Sequence, residues 1–252
     1  MIKIAVVIPT FNNRGTLRAV AEKAIVSGLP VLVVNDGATD GGPETLEGLA
    51  VARVDFPANK GKGAAILAGA GWAEANGFTH LITIDADGQH DPADIPGFVE
   101  MIMKDPLSIV IGDRQFKETV PLSSRFGRKW SNMWLWITCG WSVRDSQSGF
   151  RGYPVAALRK VVCFGRKYDF EVEILVRSAW AGVGLTSIPI SVHYSDETRK
   201  GSHFDPFMDN LRISRAYTRL VIRTLVPWPH KALFCRENKG LIVPRGEERH
   251  VG

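Results

Sequence analysis

Residues 80–92 constrain the fold more than any other stretch of the chain. The apolar, β-branched run at 81–84 predicts a strand that is buried on both faces. This strand ends in two carboxylates, Asp85 and Asp87. Because residues i and i+2 of a strand share a face, both side chains are expected to leave the strand into the same space. Two neighbouring carboxylates repel each other unless a cation or a proton lies between them.

This carboxylate pair, together with Gln89, predicts a metal site. Oxygen ligands suit Mg²⁺ or Mn²⁺, and open α/β sheets bind ligands at the carboxyl ends of their strands. An acidic turn is the alternative interpretation of the stretch. For Asp91, which precedes Pro92, we adopt that simpler interpretation and expect a helix cap.

Strand and helix patterns alternate over the first 113 residues. Buried strands are predicted at 2–8, 31–34, 51–56, 81–84 and 108–112, and helices at 14–26, near 43, at 64–75 and at 92–104. This order predicts a doubly wound α/β fold, with a mostly parallel sheet and helices on both faces. Further on, we expect a turn-rich polar segment at 144–153, a helix at 168–181 and a strand at 188–194.

Three loops are expected at one edge of this sheet, at 9–13, 36–40 and 85–89. Asp36 directly follows a strand, where an acidic residue commonly binds a ribose or a base, although a turn-forming Asp-Gly pair is an equally supported interpretation. The 60–63 loop, Lys-Gly-Lys-Gly, could hold a phosphate at a helix N-terminus. It matches neither GxxxxGK[ST] nor GxGxxG, so an ATPase or dehydrogenase function loses its usual support.

Charge is unevenly distributed along the chain. The net charge is −6 over residues 1–113, +9 over 114–168 and +5 over 199–231. An acidic half that could hold a metal is therefore followed by a basic half that could hold anions. Nucleic acid, sugar nucleotides and lipid phosphates are all anions, and charge alone does not choose among them.

Two further patterns suggest a membrane surface. Tryptophans 130, 134 and 141 have helical spacing beside basic residues, which fits a core stripe or an interfacial belt equally well. At 204–231 we predict a basic amphipathic helix whose arginines fall within an arc of about 80° on a helical wheel; they are Arg212, Arg215, Arg219 and Arg223. Such a helix suits an anionic membrane, and a solvated face on a packed helix is the alternative.

The remaining features bear on the cellular compartment. The three cysteines, Cys139, Cys163 and Cys235, form no CxxC pair, so we expect neither a disulfide framework nor a zinc site. No stretch approaches the ~20 apolar residues that span a bilayer. We therefore expect a cytoplasmic protein, peripheral at the inner face of the membrane, with a C-terminal tail at 232–252.

Five motifs in register resemble the inverting family 2 glycosyltransferases of the GT-A fold, closest to their polyprenol-phosphate, dolichol-phosphate mannosyltransferase-like branch. They are Pro9-Thr10-Phe11-Asn12, Asn35-Asp36-Gly37-Ala38-Thr39-Asp40, Asn59-Lys60-Gly61-Lys62-Gly63-Ala64, Asp85-Ala86-Asp87-Gly88-Gln89-His90 and Asp145-Ser146-Gln147-Ser148-Gly149-Phe150-Arg151. The likeness covers residues 2–203. It implies a single catalytic domain at 1–203, with a nucleotide and metal half (1–113) and an acceptor half (114–203).

The resemblance also implies roles for individual residues. The nucleotide would be contacted by Pro9, Phe11, Asn13, Asp36, Lys62, Asp85 and Ala86. The cofactor, Mg²⁺ or Mn²⁺, would be bound by Asp87 and Gln89 and would bridge the donor diphosphate. The acceptor phosphate or leaving group would meet Arg114, Arg125, Arg128, Ser131, Arg199 and Ser202. Catalytic roles would fall to Asp87, Arg114, Arg128 and Asp145.

The implied reaction moves a sugar from a GDP- or UDP-sugar to a membrane-associated acceptor. Asn13 stands where the mannosyltransferases of the family usually have Glu, so the resemblance leaves the sugar and the base open. We favour a polyprenyl phosphate as acceptor, because the basic second half suits an anion. A phosphate oxygen is ionised near neutral pH and needs no general base. A hydroxyl acceptor would need one, and the candidates are Asp145, Asp169 and Glu171.

Other functions remain open at this point. A transferase acting on a lipid or glycan hydroxyl is one, and a sugar-phosphate nucleotidyltransferase is another, although the latter normally opens with a Gly-rich loop after its first strand. A basic module that binds nucleic acid or membrane would be non-enzymatic, and it leaves Asp85, Asp87 and Gln89 unexplained. We expect no nucleic-acid partner.

Overall fold

The computed structural model describes residues 1–114, 122–193 and 208–225, with the helical backbone alone at 122–128, 168 and 208–210. The strands are β1 (Ile4–Thr10), β2 (Val31–Asn35), β3 (Val51–Asp55), β4 (His80–Thr83), β5 (Ser108–Arg114), β6 (Arg151–Pro154) and β7 (Gly184–Ile190). The helices are α1 (Leu17–Ile25), α2 (Lys62–Ala75), α3 (Ile95–Lys104), α4 (Leu122–Cys139), α5 (Val155–Lys160), α6 (Tyr168–Trp180) and α7 (Met208–Leu225). Short 3-10 turns lie at Pro43–Leu46 and Pro92–Asp94.

The seven strands form one sheet in the order β3-β2-β1-β4-β6-β5-β7. Every neighbouring pair is parallel except the two that involve β6, which runs antiparallel to β4 and β5. Successive side chains of a strand point to opposite faces, and β1 follows this rule. Val7 joins a core beneath α2 and α4 to α7, whereas Val6 and Ile8 join a second core beneath α1 and α3. This arrangement confirms the predicted doubly wound, mostly parallel α/β class.

Strand β6 was not predicted, because it lies in the segment expected to be turn-rich and polar. Its Gly152 pairs with both Ile82 of β4 and Val110 of β5. A Cβ at Gly152 would lie 3.0 Å from the side chain of Ile102, so α3 approaches the strand closely there. Arg151 opens the strand although its side chain is fully buried. Because β6 contains a charged residue and a glycine, it lacks the alternation of apolar and polar residues that normally indicates a strand.

Several predicted boundaries were wrong. β1 continues through Pro9, which lies beyond the last β1 residue paired with β4, so the missing N–H interrupts no pairing with that strand. Helix α4 ends at Cys139, and Gly140 follows with a φ of +76°, which places Trp141 outside the helix. β7 begins and ends four residues earlier than predicted.

Within the 204–231 segment that was predicted as a basic amphipathic helix, the structure places α7, which packs against α4 and α6. The Tyr217 hydroxyl donates a hydrogen bond to the carbonyl of Ser131 (2.7 Å), and Leu220 joins the core. Within the described residues, no helix is long and apolar enough to cross a membrane. The predicted tail at 232–252 lies outside the described residues, as does Cys235.

Candidate active site

Hydrogen bonds join the three loops that were predicted to share one edge of the sheet. The side-chain carbonyl of Asn12 accepts from the backbone N–H of Thr39 (2.8 Å), which links the loops after β1 and β2. Asn12 adopts a positive φ of 53°, which asparagine tolerates better than most residues. The Thr16 hydroxyl donates to the carbonyl of Ala86 (2.6 Å), which links the start of α1 to the loop after β4. The loops therefore form one continuous rim.

The predicted nucleotide residues of the first loop lie on this rim. Pro9 is buried at the end of β1, while Phe11 and Asn13 are partly exposed. The side-chain carbonyl of Asn13 accepts hydrogen bonds from the Phe11 N–H (3.3 Å) and the Thr10 hydroxyl (3.4 Å), so it closes its own turn. This leaves the Phe11 ring on a fixed backbone at the partly exposed edge.

The side chain of Asp36 connects the 36–40 loop to the 60–63 loop through hydrogen bonds. The side chain is buried, and its two oxygens accept from the backbone N–H groups of Lys60 (2.6 Å) and Gly61 (2.9 Å). Burial raises the pKa of Asp36, although the two hydrogen bonds oppose this rise. Gly37 has a φ of +74°, and a Cβ there would lie 2.5 Å from the backbone of Ala58. Asp36 is thus more than a turn-former, because it positions a neighbouring loop.

Three backbone N–H groups of the loop that was predicted to hold a phosphate have acceptors within the protein. Lys60 and Gly61 donate to Asp36, and Gly63 donates to the carbonyl of Arg166 (2.7 Å). These three N–H groups therefore bond to acceptors of the protein itself rather than pointing to a phosphate. The Lys62 side chain, at the first residue of α2, is the part of this loop that faces the carboxylates of the site.

Lys62 pairs with two carboxylates. Its Nζ lies 2.5 Å from Asp85 Oδ1 and 2.6 Å from Glu171 Oε1. Burial is the largest single effect and would raise the pKa of Asp85, but the adjacent ammonium, its hydrogen bond and the charge of Arg114 together hold that pKa below its ordinary value. From its sequence, Glu171 was only a candidate general base. An acidic residue in the first turn of a helix is common, so nothing in the sequence pairs it with Lys62.

Asp87 has a different environment from Asp85. One of its oxygens accepts from the backbone N–H of Gln89 (2.9 Å), and within the described residues it forms no ion pair. Burial and the nearby charge of Asp85 raise the pKa of Asp87 to about 6. A divalent cation beside Asp87 would relieve both effects, so this carboxylate fits a metal ligand.

His90 adds a buried ring with unsatisfied nitrogens next to Asp85, Asp87 and Gln89, which we call the metal motif because the sequence predicted a metal site there. Its ring is buried against Phe150, with the ring centres 5.7 Å apart, and neither ring nitrogen has a hydrogen-bond partner in the described part of the chain. Burial lowers the pKa of His90 to about 4, so the ring is neutral. The described residues hold no group of three or more His, Cys, Asp or Glu that could bind a metal unaided. A cation here would need further ligands, such as diphosphate oxygens.

Arg114 and Asp145 form a bidentate pair. Nε and Nη2 of Arg114 lie 2.6 and 3.0 Å from the two oxygens of Asp145, which is fully buried. A carboxylate that is already neutralised in this way is a poor candidate for a general base. Asp169 accepts from the Lys167 N–H (3.0 Å), and Glu171 is paired as described above. All three candidate bases are therefore engaged.

The remaining predicted acceptor residues do not gather into one described cluster. Ser131 is buried, and its hydroxyl lies 2.7 Å from the Tyr217 hydroxyl and accepts from the Ser146 hydroxyl (2.9 Å). It therefore links α4 to α7 and to the loop before β6. Arg199 and Ser202 lie outside the described residues, as do the side chains of Arg125 and Arg128.

Sequence reasoning missed two positions that shape the site. A Cβ on Gly149 would overlap the Asp85 carboxylate and the Lys62 ammonium, so the chain passes directly over that ion pair. Arg151 is buried, and its guanidinium donates to the carbonyls of Ser148 (2.6 Å) and Glu171 (2.7 Å). Both residues lie in a motif that the resemblance singled out, but their contacts are long-range and leave no local signal.

Comparisons with known proteins agree with this geometry. Residues 5–162 match the family model described as glycosyl transferase family 2. The undecaprenyl-phosphate mannosyltransferase of Micrococcus luteus is 27% identical over 75% of this chain and 83% of its own length. The UDP-N-acetylglucosamine–dolichyl-phosphate N-acetylglucosaminyltransferase of Methanococcus voltae is 25% identical over 77% of this chain and 86% of its own.

A solved structure supports the architecture. The glucosyl-3-phosphoglycerate synthase of Mycobacterium tuberculosis superimposes with a TM-score of 0.66 at 18% identity, covering 89% of this chain and 81% of that one. At this level of identity the likeness concerns the fold alone. It agrees with the seven-stranded sheet and confirms the GT-A fold that the motifs implied.

Proposed function

The chain belongs to glycosyltransferase family 2, and on this premise we propose that it moves a sugar from a nucleotide-sugar donor to a polyprenyl phosphate at a membrane surface. The observation that carries the proposal is the rim of three joined loops with Asp87 beside the Lys62–Asp85 pair. Family membership removes the support for a nucleotidyltransferase or a non-enzymatic binding module.

The relatives favour a lipid phosphate acceptor more strongly than any one donor. The Micrococcus luteus protein is named for undecaprenyl phosphate and mannose, and the Methanococcus voltae protein for dolichyl phosphate and N-acetylglucosamine. Their names differ in the sugar but share a polyprenyl-type phosphate. A GDP- or UDP-sugar donor therefore stays open, while a polyprenyl phosphate is the acceptor that the comparison supports.

A divalent cation fits the donor side of this proposal. Asp87 and Gln89 would hold Mg²⁺ or Mn²⁺, which would stabilise the negative charge that grows on the departing nucleoside diphosphate. Lys62 contributes positive charge next to Asp85. Arg114 points its guanidinium at Asp145 from the end of β5, which fixes a second cation near this edge.

The engagement of the candidate bases favours an acceptor that is already ionised. A hydroxyl acceptor would require a carboxylate able to take up a proton. Asp145 is held by Arg114, and Glu171 is held by Lys62. A phosphate oxygen needs no such group, so the ion pairs are consistent with a polyprenyl phosphate.

Exposed apolar side chains on α4 support contact with a membrane. Trp130 is 50% exposed and Trp136 is 59% exposed, whereas Trp134 packs against the core. Neighbouring α7 exposes Ile222 together with Arg219. Aromatic and apolar side chains beside arginines are typical of surfaces that meet anionic lipid headgroups. We propose that these two helices face the inner surface of the membrane.

A transfer assay tests the proposed function. Purified protein is incubated with a panel of GDP- and UDP-sugars and Mn²⁺ or Mg²⁺, with and without a polyprenyl phosphate, and the released nucleoside diphosphate and glycolipid are measured. Wild type is compared with Asp87→Ala and with Asp105→Asn, which alters a carboxylate at the far end of α3. Lipid-stimulated release that is lost only in Asp87→Ala supports the proposal.

The other outcomes are equally informative. Metal-dependent release without lipid stimulation would keep the glycosyltransferase but reject the polyprenyl phosphate in favour of a hydroxyl acceptor. Equal release with a chelator present would reject the metal. No release from any donor, in a protein that is folded by circular dichroism, would overturn the proposal.

A further inference from the structure

The ammonium group of Lys62 lies between two carboxylates from distant parts of the chain. It is 2.5 Å from Asp85 Oδ1 and 2.6 Å from Glu171 Oε1. The exposed fractions of these side chains are 16% for Lys62, 21% for Asp85 and 6% for Glu171. Charges in such a protected position are screened little by solvent. The single positive charge of Lys62 is therefore shared by the carboxylates of Asp85 and Glu171.

The chain around each carboxylate is held by contacts that do not involve Lys62. Asp85 lies two residues after β4, and Gly149 passes so close above it that no side chain would fit there. Glu171 belongs to the first turn of α6, and its backbone carbonyl accepts a hydrogen bond from the buried guanidinium of Arg151 (2.7 Å). The ammonium group is therefore held at one point between the edge of β4 and α6.

Because Asp85 and Glu171 share the ammonium of Lys62, the negative charge that a cation would encounter at the metal motif is larger than a single ion pair would leave. If Lys62 were paired with Asp85 alone, it would cancel the charge of that carboxylate. Because Glu171 attracts the same ammonium, Asp85 keeps part of its negative charge beside Asp87. The site then attracts a divalent cation more strongly than it would with Asp85 fully neutralised.

Resting on the proposed function, we propose that Glu171 is a positioning residue for Lys62. It holds the ammonium between β4 and α6, and by sharing that charge it keeps Asp85 and Asp87 attractive to the divalent cation of a nucleoside diphosphate. This role differs from the general base that the sequence suggested for Glu171.

The test measures Mn²⁺ binding to the full chain from the electron paramagnetic resonance signal of free Mn²⁺, without nucleotide and with GDP or UDP. Glu171→Gln preserves size and removes the charge, and we expect the Kd for Mn²⁺ to rise about tenfold. Glu173→Gln is the matched control, because Glu173 is buried on the same helix and pairs with Arg177 (2.6 Å). A merely structural role would give both variants the same effect on Mn²⁺ binding.

A second variant keeps the test decisive if Glu171→Gln does not fold. Lys62→Met removes the charge that competes for Asp85, so Mn²⁺ is expected to bind about tenfold more tightly while the nucleoside diphosphate binds more weakly. In the Lys62→Met background, Glu171→Gln should change the Mn²⁺ affinity by less than about twofold, because Glu171 acts through Lys62.

The failures are distinguishable. Wild type that binds Mn²⁺ and nucleotide, with unchanged Mn²⁺ affinity in Glu171→Gln or in Lys62→Met, would overturn the positioning role and leave the proposed function standing. Wild type that binds neither Mn²⁺ nor any nucleoside diphosphate would overturn both.

Discussion

Arg114, the last residue of β5, donates two hydrogen bonds, of 2.6 and 3.0 Å, to the fully buried carboxylate of Asp145. The pair ties the central sheet to the loop that precedes β6. The same loop passes over the Asp85–Lys62 pair at Gly149. The arrangement of the site therefore depends on a buried ion pair that is separate from the metal motif.

Removing one partner of this pair should be costly for folding. In Asp145→Asn, the guanidinium of Arg114, whose side chain is only 17% exposed, would lose the negative charge of Asp145. We expect the free energy of unfolding in urea to fall by about 3 kcal/mol. Glu22→Gln is the control, because it breaks an exposed pair with Arg18 and should cost less than about 0.5 kcal/mol. Equal losses in the two variants would contradict the importance of the buried pair.

The pKa of Asp87 leads to a stability prediction with a definite sign. Burial and Asp85 raise this pKa from 3.8 to about 6, so between these values the folded protein binds more protons than the unfolded chain. The free energy of unfolding therefore decreases as pH rises through this range. Without metal, at pH 7.5, Asp87→Asn should be more stable than wild type by on the order of 2 kcal/mol.

Urea unfolding in a chelator at pH 5 and pH 7.5 checks this sign. Asp91→Asn is the matched control in the same loop. The backbone N–H of Ala93 lowers the pKa of Asp91, so losing that charge should destabilise the protein at pH 7.5. If Asp87→Asn were also less stable than wild type at pH 7.5, the repulsion between Asp85 and Asp87 would not be the dominant effect.

Parts of the fold and site that depend on local sequence pattern were predictable. The buried strands β1, β2, β4 and β5 each show as a run of β-branched and apolar residues, and the end of the β4 run indicates where Asp85 and Asp87 leave the sheet. The cap at Asp91 was also confirmed, because an Asp-Pro pair before a helical turn is a local signal. Local chemistry was sufficient for these features.

Features that arise from contacts across space were not predictable. β6 owes its place to pairing with β4 and β5 rather than to alternation of its own residues. Glu171 follows Lys62 by more than one hundred residues, and no spacing rule brings them together. The same reason explains why the hydrogen bond from the backbone N–H of Lys60 to Asp36 was not anticipated, while the predicted contact of Asp36 with the nucleotide stays a prediction.

Gly149 provides a steric test of the site. A methyl group there would overlap the Asp85 carboxylate and the Lys62 ammonium, so Gly149→Ala must push the loop or the ion pair aside. We expect a loss of about 1–3 kcal/mol in the free energy of unfolding, typical of overpacking. Calorimetry should also show weaker binding of a nucleoside diphosphate.

Gly71→Ala is the matched control for this substitution. Gly71 lies within α2, where a Cβ would meet only Arg159 Nη1 at 3.8 Å. Alanine forms helices better than glycine, so this variant should gain up to about 1 kcal/mol and keep its nucleotide affinity. Wild-type nucleotide affinity in Gly149→Ala would show that the Asp85–Lys62 pair is not part of the nucleotide site.

Membrane contact by α4 and α7 predicts two separable effects. Trp136 is 59% exposed, so Trp136→Ala should weaken binding to vesicles of any headgroup without changing Tm. Arg219→Gln should weaken binding only to vesicles that contain anionic lipid, by about fivefold at low salt, because each basic residue contributes about 1 kcal/mol at an anionic surface. Sedimentation with phosphatidylcholine vesicles, with and without phosphatidylglycerol, measures both effects.

Met103→Ala is the control for this prediction, because Met103 is 59% exposed on α3, against the opposite face of the sheet. Removing it takes away a similar exposed apolar side chain from a surface that is not proposed to meet lipid. If Met103→Ala reduced vesicle binding as much as Trp136→Ala, the association would be non-specific. If Arg219→Gln weakened binding equally with neutral vesicles, α7 would not act through the charge of the lipid surface.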